Sequence, residues 1–315
     1  MHVIVLVTVP LSANARQRVV EAVATHGGEA VFVEHVDEAE ISPTVIFGSA
    51  PVEYIASQPK LRWVQTHSAG VDHLLGKATP FPRHVILTNA SGVYDTAGGE
   101  HILAMMLYFA RGLYFYQRHQ RRGAWVRDLS YARLLYGQTV CILGLGGIGR
   151  QVAVRARAFG MRVLGVKRNP QPVEGVERVV SPDQLDEVLP ETQHLAITVP
   201  LTPETRGMID ARRLRLLPRG AFLYNIGRGA VVDEEALIEA LQTGHLGGAG
   251  LDVFVEEPLP EGHPFWSMDN VLITPHMGAD TPWDNDRAAE LFIDNFRRFV
   301  AGEPLRNVVD LDLGY

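Results

Sequence analysis

The segment TVCILGLGGIG, Thr139 to Gly149, decides the fold class of this chain. Its first five residues form an apolar run that predicts a buried strand, and the glycines that follow have the spacing G-x-G-x-x-G. Such glycines allow a tight turn, close approach of backbone N–H groups to a pyrophosphate, and close packing of a helix on the strand. Because a helix N-terminus adds partial positive charge, the segment predicts a dinucleotide-binding unit. Its predicted cofactor contacts are Gly144, Gly146, Gly147, Ile148 and Gly149.

Strand-like and helix-like segments alternate on both sides of this motif. From the motif onward, apolar runs predict six strands, as in a dinucleotide-binding sheet; they lie near residues 139–143, 162–166, 195–199, 221–226, 248–251 and 271–274. Before the motif, strands are predicted at residues 3–9, 30–33, 45–47, 63–66 and 85–88, with a helix at 13–26. A long helix is predicted from Gly98 to about Arg122, another from about Asp286 to Val300, and a last short strand at 308–309. Strand–helix–strand alternation is typical of parallel sheets.

Composition narrows the class of protein. The 315 residues are 46% hydrophobic, enough apolar material for two cores, and the net charge of -7 disfavours nucleic acid and anionic membranes as partners. The apolar run at residues 3–9 is too short to span a bilayer. Cys141, the single cysteine, lies in a predicted strand and is expected to be buried, which agrees with a cytoplasmic location. We expect no metal site.

The strand that follows the glycine motif ends in Lys167 and Arg168. An acid is expected at this point when the ribose 2′-hydroxyl of NAD is bound. Two cations suit a 2′-phosphate better, so the sequence favours NADP(H) over NAD(H), with solvated loop charges as the alternative.

Three later strand ends carry reactive side chains, and open α/β sheets bind ligands at these ends. The segments are NIGRG at residues 225–229, LDVFVEEP at 251–258 and ITPHMG at 273–278. With the glycine motif, residues 199–203 and the Gly70-Val71-Asp72 loop, they resemble the D-isomer-specific 2-hydroxyacid dehydrogenase family over nearly the whole chain. The resemblance implies that Arg228, Glu257 and His276 are the catalytic residues.

These three residue types suit the reduction of a 2-oxo acid. Arginine is a permanent planar cation that can bind a carboxylate, and histidine can exchange a proton near neutral pH. Arg228 is therefore expected to bind substrate, His276 to act as general acid or base, and Glu257 to orient the imidazole ring. The adjacent Glu256 is the competing carboxylate.

The resemblance extends to further cofactor and substrate contacts. The implied cofactor contacts are Val199, Pro200, Thr205, Ile226, Gly227, Asp252, His276 and Gly278, with Asp252 expected to bind the nicotinamide carboxamide. The implied substrate contacts are Ala69, Gly70, Val71, Arg228, His276 and Trp283. Trp283 covers either the substrate or the core, and the sequence does not distinguish these roles.

The resemblance also implies an α/β fold of two doubly wound parallel-sheet domains. A Rossmann NAD(P)-binding domain, residues 101–284, is expected to be inserted in a flavodoxin-like substrate domain, residues 1–100 plus 285–315, with the reaction in the cleft between them. The expected activity is NADPH-dependent reduction of a small 2-oxo acid such as glyoxylate or hydroxypyruvate. Alternatives are an NAD-dependent dehydrogenase of the D-lactate or phosphoglycerate type and a nucleotide-sensing, corepressor-like regulator.

Residues 111–136 are rich in arginine and aromatic side chains. They form either a bridging helix with a solvated arm or a contact between subunits, and exposed aromatic clusters are common at interfaces. We expect a homodimer. An arginine patch for nucleic acid is disfavoured by the acidic balance of the whole chain.

Overall fold

The computed structural model describes residues 2–38, 40–75 and 77–315, without the side chain of residue 37. Contacts divide the chain into two compact units. The terminal unit is the chain up to Tyr94 together with Thr281–Tyr315, and the central unit is Asp95–Asp280. The sequence predicts these boundaries after residue 100 and before residue 285. The first lies earlier because a helix that begins at Asp95 belongs wholly to the central unit. The second lies before Thr281, whose hydroxyl donates to Asp284, the first residue of the last helix.

The central unit contains a parallel sheet of seven strands over its described residues. The strands are β6 (Thr139–Leu143), β7 (Arg162–Val166), β8 (Arg178–Val180), β9 (His194–Ile197), β10 (Ala221–Asn225), β11 (Leu246–Leu251) and β12 (Val271–Ile273). Their order, β12-β11-β10-β9-β6-β7-β8, has the Rossmann arrangement with an added edge strand. The strand reversal next to β6 lies beside the glycine motif, which is where such sheets bind ligands. The prediction of six strands was one short, because β8 has three residues and no long apolar run.

Helices cover the central sheet, and two of them pack unusually closely. The helices are α3 (Asp95–Ala110), α4 (Leu113–Arg121), α5 (Gly147–Ala158), α6 (Leu185–Val188), α7 (Ala211–Leu216) and α8 (Glu234–Gln242). A Cβ atom at Gly99 would lie 2.6 Å from Cβ of Gln151, and one at Gly98 would lie 3.0 Å from Ile148. Two glycines on α3 therefore allow it to pack against the helix of the glycine motif.

The prediction of one long helix from Gly98 to Arg122 was wrong, because α3 and α4 occupy this region. The chain turns at Gly112, whose φ of 63° ends the helical path between α3 and α4. A Cβ atom there would lie 2.7 Å from Tyr131, so the turn also requires a residue without a side chain.

The terminal unit contains a parallel sheet of five strands over its described residues. The strands are β1 (Ile4–Val7), β2 (Glu29–Phe32), β3 (Val45–Phe47), β4 (Trp63–Gln65) and β5 (Ile86–Thr88), and the helices are α1 (Ala13–Thr25), α2 (Val52–Ser57) and α9 (Asp284–Ala301). The order β2-β1-β3-β4-β5 is the flavodoxin-like order expected from the sequence. The predicted strand at 308–309 is a single antiparallel bridge from Val308 to Thr88.

Apolar side chains from both ends of the chain form the core of the terminal unit. Phe292 of α9 stacks on Phe47 of β3 at 4.5 Å and on Trp63 of β4 at 5.3 Å between ring centroids. All three side chains are fully buried.

In the central unit, Cys141 of β6 is buried as predicted, and burial raises the pKa of its thiol to about 12. Within the described part of the chain, every helix is too short or too polar to cross a lipid bilayer.

Candidate active site

The glycine-rich turn connects β6 to α5. Gly144 has a φ of 103°, and Gly146 is the N-cap residue of α5. A Cβ atom at Gly149 would lie 1.9 Å from the carbonyl oxygen of Gly144, so only glycine permits this approach of helix and turn. Ile148, the second residue of the helix, packs against Gly98. The turn and the N–H groups at the start of α5 form a backbone cradle that fits a dinucleotide pyrophosphate.

Asp95 lies beside this turn and was not predicted as a site residue. A Cβ atom at Gly147 would lie 1.9 Å from Oδ2 of Asp95, so the carboxylate occupies the space where another residue would have a side chain. The two residues are far apart in sequence, and no local pattern connects them. The contact places negative charge next to the N-terminus of α5.

Lys167 and Arg168 directly follow β7. They lie at the carboxyl end of the sheet, where the glycine-rich turn also lies. Lys167 is half-buried and Arg168 is exposed. Nη2 of Arg168 lies 3.8 Å from Oε2 of Glu204, within ion-pair distance but beyond a hydrogen bond. A hydrogen bond from the Thr202 hydroxyl lowers the pKa of Glu204, and the positive charge of Arg168 lowers it further.

The segment after β9 borders the glycine turn. The Thr198 hydroxyl donates to the Gly144 carbonyl oxygen at 2.8 Å, and a Cβ atom at Gly144 would lie 2.9 Å from Val199. The Thr205 hydroxyl donates to the Pro200 carbonyl oxygen at 2.7 Å. Val199 thus lies against the glycine turn, while the Thr205 hydroxyl stabilises the loop that contains Pro200. The cofactor contacts predicted for Val199, Pro200 and Thr205 stay predictions.

Arg228 follows β10 on a loop that Asn225 holds. The side chain of Asn225 is buried, accepts the Gly227 N–H at 3.0 Å and donates to the Arg228 carbonyl oxygen at 2.9 Å. A Cβ atom at Gly229 would lie 2.0 Å from the Phe254 carbonyl carbon, so glycine lets this loop lie against the segment that carries Glu257. The bracing role of Asn225 was missed, although its position at the end of a strand was visible.

His276 and Glu257 form the pair that the sequence predicts. Nδ1 of His276 lies 2.7 Å from Oε2 of Glu257, and Oε1 of Glu257 accepts the Phe254 N–H at 2.8 Å. Because a carboxylate oxygen accepts, Nδ1 carries the proton of this hydrogen bond. The side chain of His276 is 47% exposed, so its ring remains open to a reactant. Glu257 thus fixes the tautomer and leaves Nε2 to exchange a proton.

Asp252 organises the loop that carries His276. Its side chain is 2% exposed and accepts the Met277 N–H at 3.0 Å and the Gly278 N–H at 2.9 Å, while its backbone oxygen accepts the His276 N–H at 2.8 Å. The sequence predicts a cofactor contact for Asp252, with a turn aspartate at the strand end as the alternative, and the cofactor contact stays a prediction. The hydrogen bonds show that Asp252 also shapes the turn after His276.

Side-chain hydrogen bonds brace the loop after β4 in the terminal unit. Three successive carbonyl oxygens, of Ser68, Ala69 and Gly70, accept hydrogen bonds from Thr66, Asn89 and Ser68 side chains respectively. The substrate contacts predicted for Ala69, Gly70 and Val71 stay predictions.

Trp283 precedes α9, and its side chain is 67% exposed. It therefore does not cover the core of the terminal unit, which was one of its two predicted roles. Contact with substrate stays a prediction.

Comparisons with known proteins show the family that this chain resembles. The family model "D-isomer specific 2-hydroxyacid dehydrogenase, NAD binding domain" matches residues 103–278. A glyoxylate reductase of Pyrococcus furiosus is 37% identical over 281 residues, which cover 86% of this chain and 82% of that protein.

Two solved structures are similar along nearly the whole chain. A D-isomer specific 2-hydroxyacid dehydrogenase from Xanthobacter autotrophicus, in complex with NADPH and MES, has a TM-score of 0.88 and 34% identity, covering 100% of this chain and 99% of that chain. An NADPH-dependent glyoxylate/hydroxypyruvate reductase from Sinorhizobium meliloti, in complex with NADP and sulfate, has a TM-score of 0.85 and 30% identity, covering 99% and 100%.

Proposed function

The chain belongs to the D-isomer specific 2-hydroxyacid dehydrogenase family, and we propose that it is an NADPH-preferring reductase of small 2-oxo acids such as glyoxylate or hydroxypyruvate. The observation that carries this proposal is the hydrogen bond of His276 to Glu257, together with the close approach of the segment that carries Glu257 to the loop of Arg228. A proton donor and a fixed cation are what the reduction of a 2-oxo acid needs from the protein.

In the proposed reaction His276 supplies the proton. Nε2–H of the protonated ring donates to the carbonyl oxygen of the substrate, and Glu257 holds Nδ1–H throughout. The dinucleotide, when bound, supplies the hydride to the carbonyl carbon. In the direction of oxidation the neutral ring accepts the proton of the hydroxyl group.

Other residues of the proposal bind rather than react. Arg228 binds the substrate carboxylate and polarises the carbonyl group. The N–H groups of Ala69, Gly70 and Val71 and the ring of Trp283 contact substrate in the same proposal. The backbone cradle at the start of α5 holds the pyrophosphate.

The preference for NADP(H) rests on Lys167 and Arg168, which follow β7 where an acid would suit NAD. The two similar structures, solved with NADPH and with NADP, support it by analogy. Alanine at both positions is expected to raise the KM for NADPH by about tenfold or more and to change the KM for NADH little, because only NADPH carries the 2′-phosphate.

The test of the proposed function is a set of initial rates. Glyoxylate, hydroxypyruvate, pyruvate and phenylpyruvate are each reduced with NADPH and with NADH at matched concentrations. Faster turnover of glyoxylate or hydroxypyruvate with NADPH supports the proposal. A preference for NADH contradicts the role of the two cations, and absence of turnover with every acid contradicts the proposed substrate class.

We also propose that the chain forms a homodimer through residues 122–136. Apolar side chains are exposed along this arm, with Trp125 fully exposed and Tyr136, Leu129 and Leu134 each more than half exposed. Contiguous exposed apolar groups favour an interface. Sedimentation velocity should give twice the chain mass of 34.7 kDa, and Trp125→Glu should shift the protein toward the monomer. A monomeric wild-type protein at micromolar concentration contradicts this.

A further inference from the structure

A line of side-chain hydrogen bonds connects α3 to the loop of His276. Nε2 of His101, on α3, lies 3.1 Å from Oγ1 of Thr274. The same oxygen lies 2.6 Å from Oδ1 of Asp252. The side chains of Thr274 and Asp252 therefore connect His101 to the backbone N–H groups that Asp252 binds.

The direction of these bonds follows from the available hydrogens. The Thr274 hydroxyl has one hydrogen and donates it to the carboxylate of Asp252, the stronger acceptor. Its oxygen can then only accept from His101, so His101 carries a proton on Nε2. Burial lowers the pKa of His101, which favours the neutral ring, while the charge of Asp252 acts in the opposite direction.

The far end of the line holds His276 in an unusual backbone conformation. His276 has a φ of 50°, which residues other than glycine rarely adopt. The carboxylate of Asp252 accepts the N–H groups of Met277 and Gly278, which directly follow His276. An aspartate that rotates away leaves these two N–H groups unsatisfied and the strained turn without support.

His101 is also packed against this turn. A Cβ atom at Gly278 would lie 2.7 Å from Cδ2 of His101 and 2.9 Å from Oδ2 of Asp252. The ring of His101 thus lies over the turn, close to both Thr274 and Gly278.

We propose that His101 is a positioning residue, which fixes the Asp252 carboxylate through Thr274 and thereby holds His276 in its reactive orientation. The effect on turnover rests on the proposed function, whereas the effect on the loop does not. His101 has no direct part in proton transfer. Its contribution reaches the reaction through the geometry of the loop.

The test uses hydrogen exchange and kinetics on the same full-length variants. His101→Phe and Thr274→Val each break the line at a different bond, and His101→Gln restores a donor near the position of Nε2. His119→Gln, the same change on α4, is the matched control. Deuterium uptake is measured over residues 274–280, and kcat and KM are measured for NADPH-dependent glyoxylate reduction.

We expect faster exchange over residues 274–280 in His101→Phe and in Thr274→Val. We expect kcat to fall about tenfold in each, with a change of less than about threefold in the KM for NADPH, because misorientation affects the reacting geometry more than binding. The double variant should lose no more than either single variant, since one line is broken twice. His101→Gln should recover most of both losses, and His119→Gln should resemble wild type.

Two results overturn the proposal: exchange of residues 274–280 that stays at the wild-type rate in His101→Phe and Thr274→Val, or losses that multiply in the double variant. If wild type reduces none of the acids, the proposed function fails, and the exchange rates alone decide the role of His101.

Discussion

At the scale of single residues, His276 combines a reactive ring with a left-handed backbone, φ 50°. Asparagine tolerates this backbone conformation better than alanine does, and it lacks a group that titrates near neutral pH. We expect His276→Asn to lower kcat by about 10²- to 10⁴-fold, the contribution of a general acid. Stopped-flow and steady-state rates with glyoxylate measure this loss.

Cofactor binding is the control for His276→Asn. Titration of the variant with NADPH, followed by nicotinamide fluorescence, should give nearly the wild-type Kd. A parallel loss of cofactor affinity and turnover would show that His276 binds the cofactor rather than transferring a proton.

The buried side chain of His194 makes the stability of the fold depend on pH. It is buried on β9, donates from Nε2 to Oε1 of Gln138 at 2.7 Å and accepts from the Tyr224 hydroxyl at 3.0 Å. Burial lowers its pKa from 6.5 to about 4, with the charge of Arg133 acting in the same direction. The folded state therefore keeps the ring neutral while the unfolded chain takes up a proton below pH 6.5.

The lowered pKa of His194 therefore makes the folded protein less stable in acid. The contribution is fully present above pH 6.5 and falls by about 3 kcal/mol as the pH decreases to 4. In urea unfolding at pH 7.5 and pH 4.5, His194→Gln should lose less stability between the two pH values than wild type does. Equal losses would mean that His194 is already protonated in the fold.

The residues of the candidate site differ in how far the sequence reveals them. The pair of His276 and Glu257 was predictable because each lies next to a proline in a recognisable strand-end segment. The contacts of Asp95 with Gly147 and of His101 with Thr274 were not, because they join segments that are distant in sequence. Such contacts depend on how α3 packs, which no local pattern encodes.

At the scale of elements, the turn after β9 meets the end of β7, where Glu204 lies 3.8 Å from Arg168. A 2′-phosphate on Arg168 would be close to this carboxylate, and like charges repel. We expect Glu204→Gln to improve the ratio of NADPH to NADH kcat/KM by about two- to fivefold, a modest effect because both groups are exposed.

The control for Glu204→Gln is Glu187→Gln, which removes a similar ion pair with Arg178 elsewhere in the central unit. Its cofactor ratio should equal that of wild type. An unchanged ratio in Glu204→Gln would separate Glu204 from the cofactor site.

Helices and strands were predictable where their apolar sequence pattern is long. β6 and α9 lie within two residues of their predicted bounds, because an apolar run defines the first and an amphipathic pattern the second. β8 was missed because it begins with Arg178 and has only two apolar residues, Val179 and Val180. The break at Gly112 was missed because the apolar pattern continues through it, and only the contact with Tyr131 explains the turn.

At the scale of the whole molecule, Phe292 joins the two ends of the chain in one core. Its ring is fully buried between Phe47 and Trp63. Phe292→Ala should lower the free energy of unfolding of the terminal unit by about 3–5 kcal/mol, the usual cost of such a cavity. Urea unfolding followed by hydrogen exchange should place the loss in residues 2–94 and 281–315, with Leu291→Ala, at a partly buried neighbour, as the milder control.

The same aromatic stack sets an order for folding during synthesis. The ribosome completes the central unit, which ends at Asp280, before it has made Phe292. Phe47 and Trp63 are translated more than two hundred residues before the ring that covers them. The first sheet to leave the ribosome is therefore the last to be finished, and during that interval its apolar face is exposed to chaperones or to other nascent chains.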